Sequence, residues 1–154
     1  MRLYLVQHGE ARPETEDPER PLTSRGVDEV KKVAGILRKL QIKCPRIIHS
    51  GKVRAKQTAE IIARGLEISP SLVQVSPGLN PKDDVRPWAE KLQKELDGLM
   101  LVGHLPFLEK LASYLLCGDE GAELVLFRYG AIVCLEQKEN KGWAIRWILT
   151  PEMC

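Results

Sequence analysis

The sequence predicts an α/β fold in three layers, α/β/α, with a mainly parallel central sheet and an antiparallel hairpin at its C-terminal edge. Three observations lead there. Short uninterrupted apolar runs, the pattern of strands buried on both faces, occur at Arg2–Gln7, Arg46–Ser50 and Leu99–Gly103. Between them lie segments whose apolar residues recur at helical spacing. The C-terminal part changes character, with two strand-like runs flanking Asn140-Lys141-Gly142, a hairpin signal. The 154 residues, 44% hydrophobic and 29% charged, suit one domain over residues 1–154 that buries about 70% of its unfolded surface.

The elements follow in order. Arg2 to Gln7 is a short buried strand that stops at His8-Gly9. Ala11 to Pro21, rich in Pro, Glu and Asp, is a loop. Thr23 caps a helix whose face is Val27, Val30, Val33, Ala34, Leu37 and Leu40, ending near Gln41. Pro45 breaks that pattern, and the second strand, Arg46 to Ser50, follows. Lys52 to Leu66 is a helix with Ala55, Ala59, Ile62 and Ala63 on one face and Gly65 near its stop. Leu72 to Val75 is a third strand, and the SPGLNPKDD stretch a loop. Val85 to Leu96 has the spacing of an amphipathic helix. Leu99 to Gly103 is a buried strand running into His104, and Phe107 to Leu116 is helical, with Pro106 suited to its first turn. Ala131 to Glu136 and Trp143 to Leu149 complete the sheet, and Trp88, Trp143 and Trp147 pack in the core or at its edge.

Composition narrows the function. A net charge of +2 and no run of basic residues argue against nucleic acid and against a membrane surface as partners. No apolar run approaches the length of a membrane span. The four cysteines, Cys44, Cys117, Cys134 and Cys154, form no CxxC pair and no disulfide framework, so the expected setting is reduced and cytoplasmic. The chain enters a strand pattern directly, without the charged head and apolar stretch of a signal peptide.

Ligands of open α/β sheets bind outside the carboxyl ends of the strands. All three histidines fall there: His8, His49 and His104. Arg54 sits just inside the helix behind the second strand end, where helix N–H groups and a planar guanidinium both favour an anion. Competing motifs fail. A P-loop would need glycine at 46 and Ser or Thr at 53, but the chain has Arg46 and Val53. No cysteine is followed by arginine six residues on, and neither GxSxG nor GxGxxG occurs. No HxxxH or CxxC spacing suggests zinc, so no metal and no cofactor is expected.

Together these residues carry a resemblance. The LVQHGEA stretch at Leu5–Ala11, RPLTSRG at Arg20–Gly26, HSGKVRAKQTAEII from His49 and LVGHLPFLEKLASYL from Leu101 resemble, in order, the motifs of the histidine phosphatase superfamily. This is the phosphoglycerate-mutase-like fold, and within it the short SixA-type phosphohistidine phosphatases. The resemblance spans essentially the whole chain. It implies that His8 is a nucleophile that becomes transiently phosphorylated. It also implies that Arg54 and His104 hold the phosphoryl oxygens, where His104, if protonated, adds positive charge, and that Gly9 lets the backbone turn tightly and the phosphate approach. Expected partners are a phosphorylated protein of the histidine-phosphotransfer type or a small phosphorylated metabolite, with inorganic phosphate as product.

Two departures qualify the resemblance. Gln7 stands where the family has an arginine, leaving an amide donor without charge as the third phosphate-binding group. Losing one preorganised donor typically costs about 2.7–4 kcal/mol at the transition state. Mutase-type members also supply a carboxylic acid from a longer segment, and here the nearby acids are only Glu10, Asp83 and Asp84. The expected function is therefore a metal-independent phosphatase acting on phosphohistidine. The alternatives are a phosphatase of small phosphate esters, or a weakened homologue that binds phosphate without turnover. His49 is expected near the site but not as a reactant.

Overall fold

The computed structural model describes residues 1–154. Six strands form one sheet: β1 (Arg2–Gln7), β2 (Ile47–His49), β3 (Val73–Val75), β4 (Leu99–Gly103), β5 (Ile132–Gln137) and β6 (Trp143–Leu149). Their order is β3-β2-β4-β1-β5-β6. The pairs β1/β4, β2/β4 and β2/β3 are parallel, whereas β1/β5 and β5/β6 are antiparallel. The four helices are α1 (Ser24–Lys39), α2 (Val53–Gly65), α3 (Arg86–Lys91) and α4 (Phe107–Cys117). The mixed α/β architecture read from the sequence is therefore present, antiparallel edge included.

Alternation along the strands builds two cores. Leu3, Leu5, Leu99 and Leu101 face α3 and α4, while Tyr4, Val6, Met100 and Val102 face α1 and α2. Both central strands are sealed on both faces, which is why they read as unbroken apolar runs. Each such side chain contributes about 1.5–3 kcal/mol by leaving water. Trp88 and Trp143 lie in the first core, and Trp147 packs on Tyr4 beside the second, with ring centroids 5.9 Å apart.

Thr23 caps α1 as expected, its Oγ1 accepting the Gly26 N–H at 3.0 Å. The hairpin closes through the Lys138 N–H to the Gly142 carbonyl at 2.7 Å, with Lys141 at φ 69°. The element read as a helix over Val85–Leu96 is shorter. Helix α3 stops at Lys91, and a 3-10 turn covers Leu92–Lys94. Leu92 is fully buried but Leu96, one apparent helical turn on, is 61% exposed. Glu95 is already extended and Gly98 adopts φ 87°, because the chain must turn here to enter β4. Leu72 likewise belongs to a 3-10 turn, Pro70–Leu72, and Pro106 is the N-cap of α4 rather than part of its first turn.

Candidate active site

Register brings the first two histidines together. Gln7 of β1 pairs with Gly103 of the neighbouring parallel strand β4, so His8 and His104 emerge side by side. Their ring centroids are 5.1 Å apart. On the other side of β4, β2 ends at His49, and the next residue, Ser50, places its Oγ 2.6 Å from His104 Nε2. Helix α2 then starts behind Ser50 and sends Arg54 across to His8, with Nε 3.3 Å from His8 Nε2. His8, Arg54 and His104 thus form one cluster at the carboxyl ends of β1 and β4. No side chain caps the N-terminus of α2, so its leading N–H groups face the same region without a side-chain partner.

The tautomer of His8 follows from its partners. Nδ1 lies 2.7 Å from the Gly9 carbonyl oxygen, which can only accept, so Nδ1 carries the proton. Nε2 is then the nitrogen with the free lone pair, and it accepts from the Arg54 guanidinium. Burial pushes the His8 pKa down to about 4, helped by the Arg54 and Arg20 charges and opposed by the bond to Gly9. His8 is therefore neutral at pH 7.

His104 is 1% exposed, and its pKa is pushed down to about 3 by burial first, then by His8 where that ring is protonated and by the charges of Arg54, Lys52 and Arg20. Burial, with cations around it, favours the neutral ring at pH 7. Its Nδ1 is buried without a partner. Its Nε2 is hydrogen-bonded to Ser50 Oγ.

Gln7 is 6% exposed, forms no hydrogen bond to His8, Arg54 or His104, and leaves its Oε1 buried without a partner. The three acids have local partners. Glu10 accepts from the Thr23 hydroxyl at 2.8 Å, Asp83 from the Asn80 N–H at 2.8 Å, and Asp84 forms a forked ion pair with Arg86. None is hydrogen-bonded to the cluster. Gly9 has a packing role as well: a Cβ there would meet Val30 Cγ2 at 2.9 Å and the Gly26 carbonyl at 3.1 Å, so its missing side chain lets the loop lie against α1. Gly26 is tighter still, with a Cβ falling 2.2 Å from the Glu10 carbonyl oxygen. No group of three or more His, Cys, Asp or Glu side chains is arranged to hold a metal ion.

Several contributors escaped the sequence reading. Thr58 is fully buried; its Oγ1 accepts the Gly9 N–H at 3.0 Å and donates to the Arg54 carbonyl at 2.8 Å. Gln57 accepts the Leu22 N–H at 2.8 Å, so two adjacent α2 residues fasten both ends of the loop after His8. A threonine among Ala55, Ala59 and Ile62 was the available signal. Tyr129 packs its ring 5.6 Å from His8. It is held by Arg128, which donates to the Tyr129 carbonyl at 3.0 Å and pairs with Glu29 at 2.8 Å. Arg20 adds a further cation beside the cluster, its Nε donating to the Arg12 carbonyl. Both lie in loops without periodicity, where no sequence pattern marks them.

Comparison with known proteins gives a consistent picture. A family model described as histidine phosphatase superfamily (branch 1) matches residues 3–80. An uncharacterized protein of Picosynechococcus sp. is 37% identical over 139 residues, covering 86% of this chain and 83% of that one. The phosphohistidine phosphatase SixA of Escherichia coli (strain K12) is 28% identical over 156 residues, covering 98% of this chain and 94% of that one. Among solved structures, the protein histidine phosphatase SixA complexed with tungstate superposes with a TM-score of 0.87 at 28% identity, covering 99% of both chains. The alpha-ribazole phosphatase from Shigella flexneri shares the fold, with a TM-score of 0.80 at 15% identity over 98% of this chain and 97% of that one.

Proposed function

The chain belongs to the histidine phosphatase superfamily, and from that premise we propose that it is a phosphatase that takes the phosphoryl group onto His8 and hydrolyses phosphohistidine on a phosphotransfer protein. One observation carries the chemistry: a neutral His8 whose Nδ1–H is tied to the Gly9 carbonyl and whose Nε2 lone pair faces Arg54. A neutral imidazole is a competent nucleophile at pH 7, and transfer to it divides a difficult hydrolysis into two steps.

In the first step His8 Nε2 attacks phosphorus. The bond from phosphorus to the leaving nitrogen breaks, and that nitrogen departs as an imidazole after taking a proton from solvent. In the second, water attacks the phosphoryl group on His8, releasing inorganic phosphate and restoring the neutral ring. Arg54 donates to the phosphoryl oxygens, where charge accumulates. Burial and the neighbouring cations keep His104 neutral, and a bound dianion adds the opposite charge that raises its proton affinity. An imidazole leaving group departs readily once protonated, which suits a site whose nearby acids are engaged elsewhere.

The substrate class rests on the SixA relatives, which are phosphohistidine phosphatases by name, one of them known with tungstate, a phosphate-like oxyanion.

A second reading, phosphate binding without turnover, is favoured by Gln7 alone. One assay separates the two: hydrolysis of an aryl phosphate in EDTA by the native chain and by His8→Ala. Turnover that disappears in His8→Ala supports the proposal, and turnover that persists refutes the nucleophile. No turnover, together with stabilisation by phosphate, selects the binding reading.

A further inference from the structure

His49 is 5% exposed, yet the reaction proposed above gives it no part. Strand alternation explains where it goes. Ile47 packs with the core under α2 and Ile48 with the opposite one, so His49 points under α2 and not toward His8. Its ring has a defined polarity. The Gly51 N–H donates to Nδ1 at 3.0 Å, and a nitrogen that accepts carries no proton. Burial and the Lys56 ammonium lower the pKa of the ring, so it is neutral at pH 7 with its proton on Nε2. That Nε2–H has no partner within the protein.

His49 lines a cavity of about 420 Å³, within the size range of small-ligand sites. Lys56, Glu60 and Arg64 of α2 form its polar side; Ala63, Ile68 and Val73 form its apolar side. Lys56 and Glu60 are only loosely paired, at 4.0 Å. Two cations less one carboxylate leave one positive charge beside the unpaired Nε2–H of a buried histidine. None of these residues belongs to the His8 cluster.

We propose that this cavity is a second binding site, for a small monoanion with an apolar body. Its carboxylate accepts from His49 Nε2–H and neutralises Lys56 and Arg64, and its hydrocarbon packs on Ala63, Ile68 and Val73. A second negative charge is disfavoured by Glu60, which separates this site from the phosphate site in ligand preference. The reading is independent of the reaction at His8.

The test is a titration of the whole protein with hexanoate, read by nitrogen NMR of its three imidazole rings, with hexanol as the uncharged control. The expected result is a saturable shift of the His49 Nε2 resonance with hexanoate and a much smaller one with hexanol, while His8 and His104 stay in place. Lys56→Met and Arg64→Met, both on the exposed side of α2, are each expected to weaken binding about tenfold, the loss typical of one charge-assisted contact. An equal response to hexanol would reduce the cavity to an apolar crevice and overturn the proposal. So would shifts confined to His8 and His104, or no saturable shift at all.

Discussion

Replacing Thr58 by valine tests how the site is held together. Valine keeps the shape of the side chain and deletes one oxygen, which serves two partners: the Gly9 N–H at 3.0 Å and the Arg54 carbonyl at 2.8 Å. The carbonyl lies in the first turn of α2, where the helical ladder still supplies a donor. The Gly9 N–H has no such substitute and is left buried and unpaired. An orphaned buried donor costs about 1–3 kcal/mol. Taking about 2 kcal/mol, a chain of this size loses roughly 4–8 °C in Tm. Thr58→Ser keeps the oxygen and loses one methyl, about 1 kcal/mol. Urea denaturation of the three proteins, compared at constant m, gives the ranking. The loop that carries His8 is also uncoupled from the helix that carries Arg54, so kcat/KM falls further in Thr58→Val than in Thr58→Ser. A valine variant as stable and active as the native chain, or a serine variant that is the worse of the two, would refute this account of the tie.

Three other outcomes are expected. Gln7→Arg restores a charged donor beside His8 and raises kcat/KM on an aryl phosphate, up to the 10²- to 10³-fold that one preorganised donor supplies; an unchanged or lower value sinks the idea that Gln7 is a weakened clamp. Stability should depend on pH through His8, whose pKa falls from 6.5 in the unfolded chain to about 4 in the fold. The unfolded chain binds the proton first, so this stability is present in full above pH 6.5 and is lost as pH falls toward 4. At about 1.36 kcal/mol per pH unit the loss is on the order of 3 kcal/mol. Urea midpoints from pH 7 to 4 check it, and a His8→Asn variant should lose that part of the slope. Tyr129, 39% exposed against His8, offers an aromatic wall to an aromatic leaving group. Tyr129→Ala should raise KM for phosphoimidazole while leaving acetyl phosphate unchanged, and Tyr129→Phe should behave as the native chain; equal losses on both substrates count against the wall.

The fold was legible where burial dictates composition. β1 and β4 are sealed on both faces, so their residues had to be apolar, and their ends were visible as His8 and His104. The helix over Val85–Leu96 was over-read because Leu92 and Leu96 stand at helical spacing. Only the need to turn into β4 at Gly98 distinguishes them, and that is a tertiary constraint. The packing of Gly9 was hidden for a related reason: its neighbours, Val30 and Gly26, come from a helix distant in sequence. The proximity of His8, Arg54 and His104 could be inferred from the rule about strand ends. The neutral state of His104 could not, because it depends on burial and on the charges of Arg54 and Lys52 at the start of α2 and Arg20 from a distant loop.

The central claim is covalent. The whole protein, mixed with phosphoimidazole and quenched in alkali after a fraction of a turnover, should carry one phosphoryl group. Mass spectrometry of its peptides should place that group on His8, and His8→Ala should carry none. Turnover without phosphorylated His8, or with the phosphoryl group on any other residue, would contradict the account.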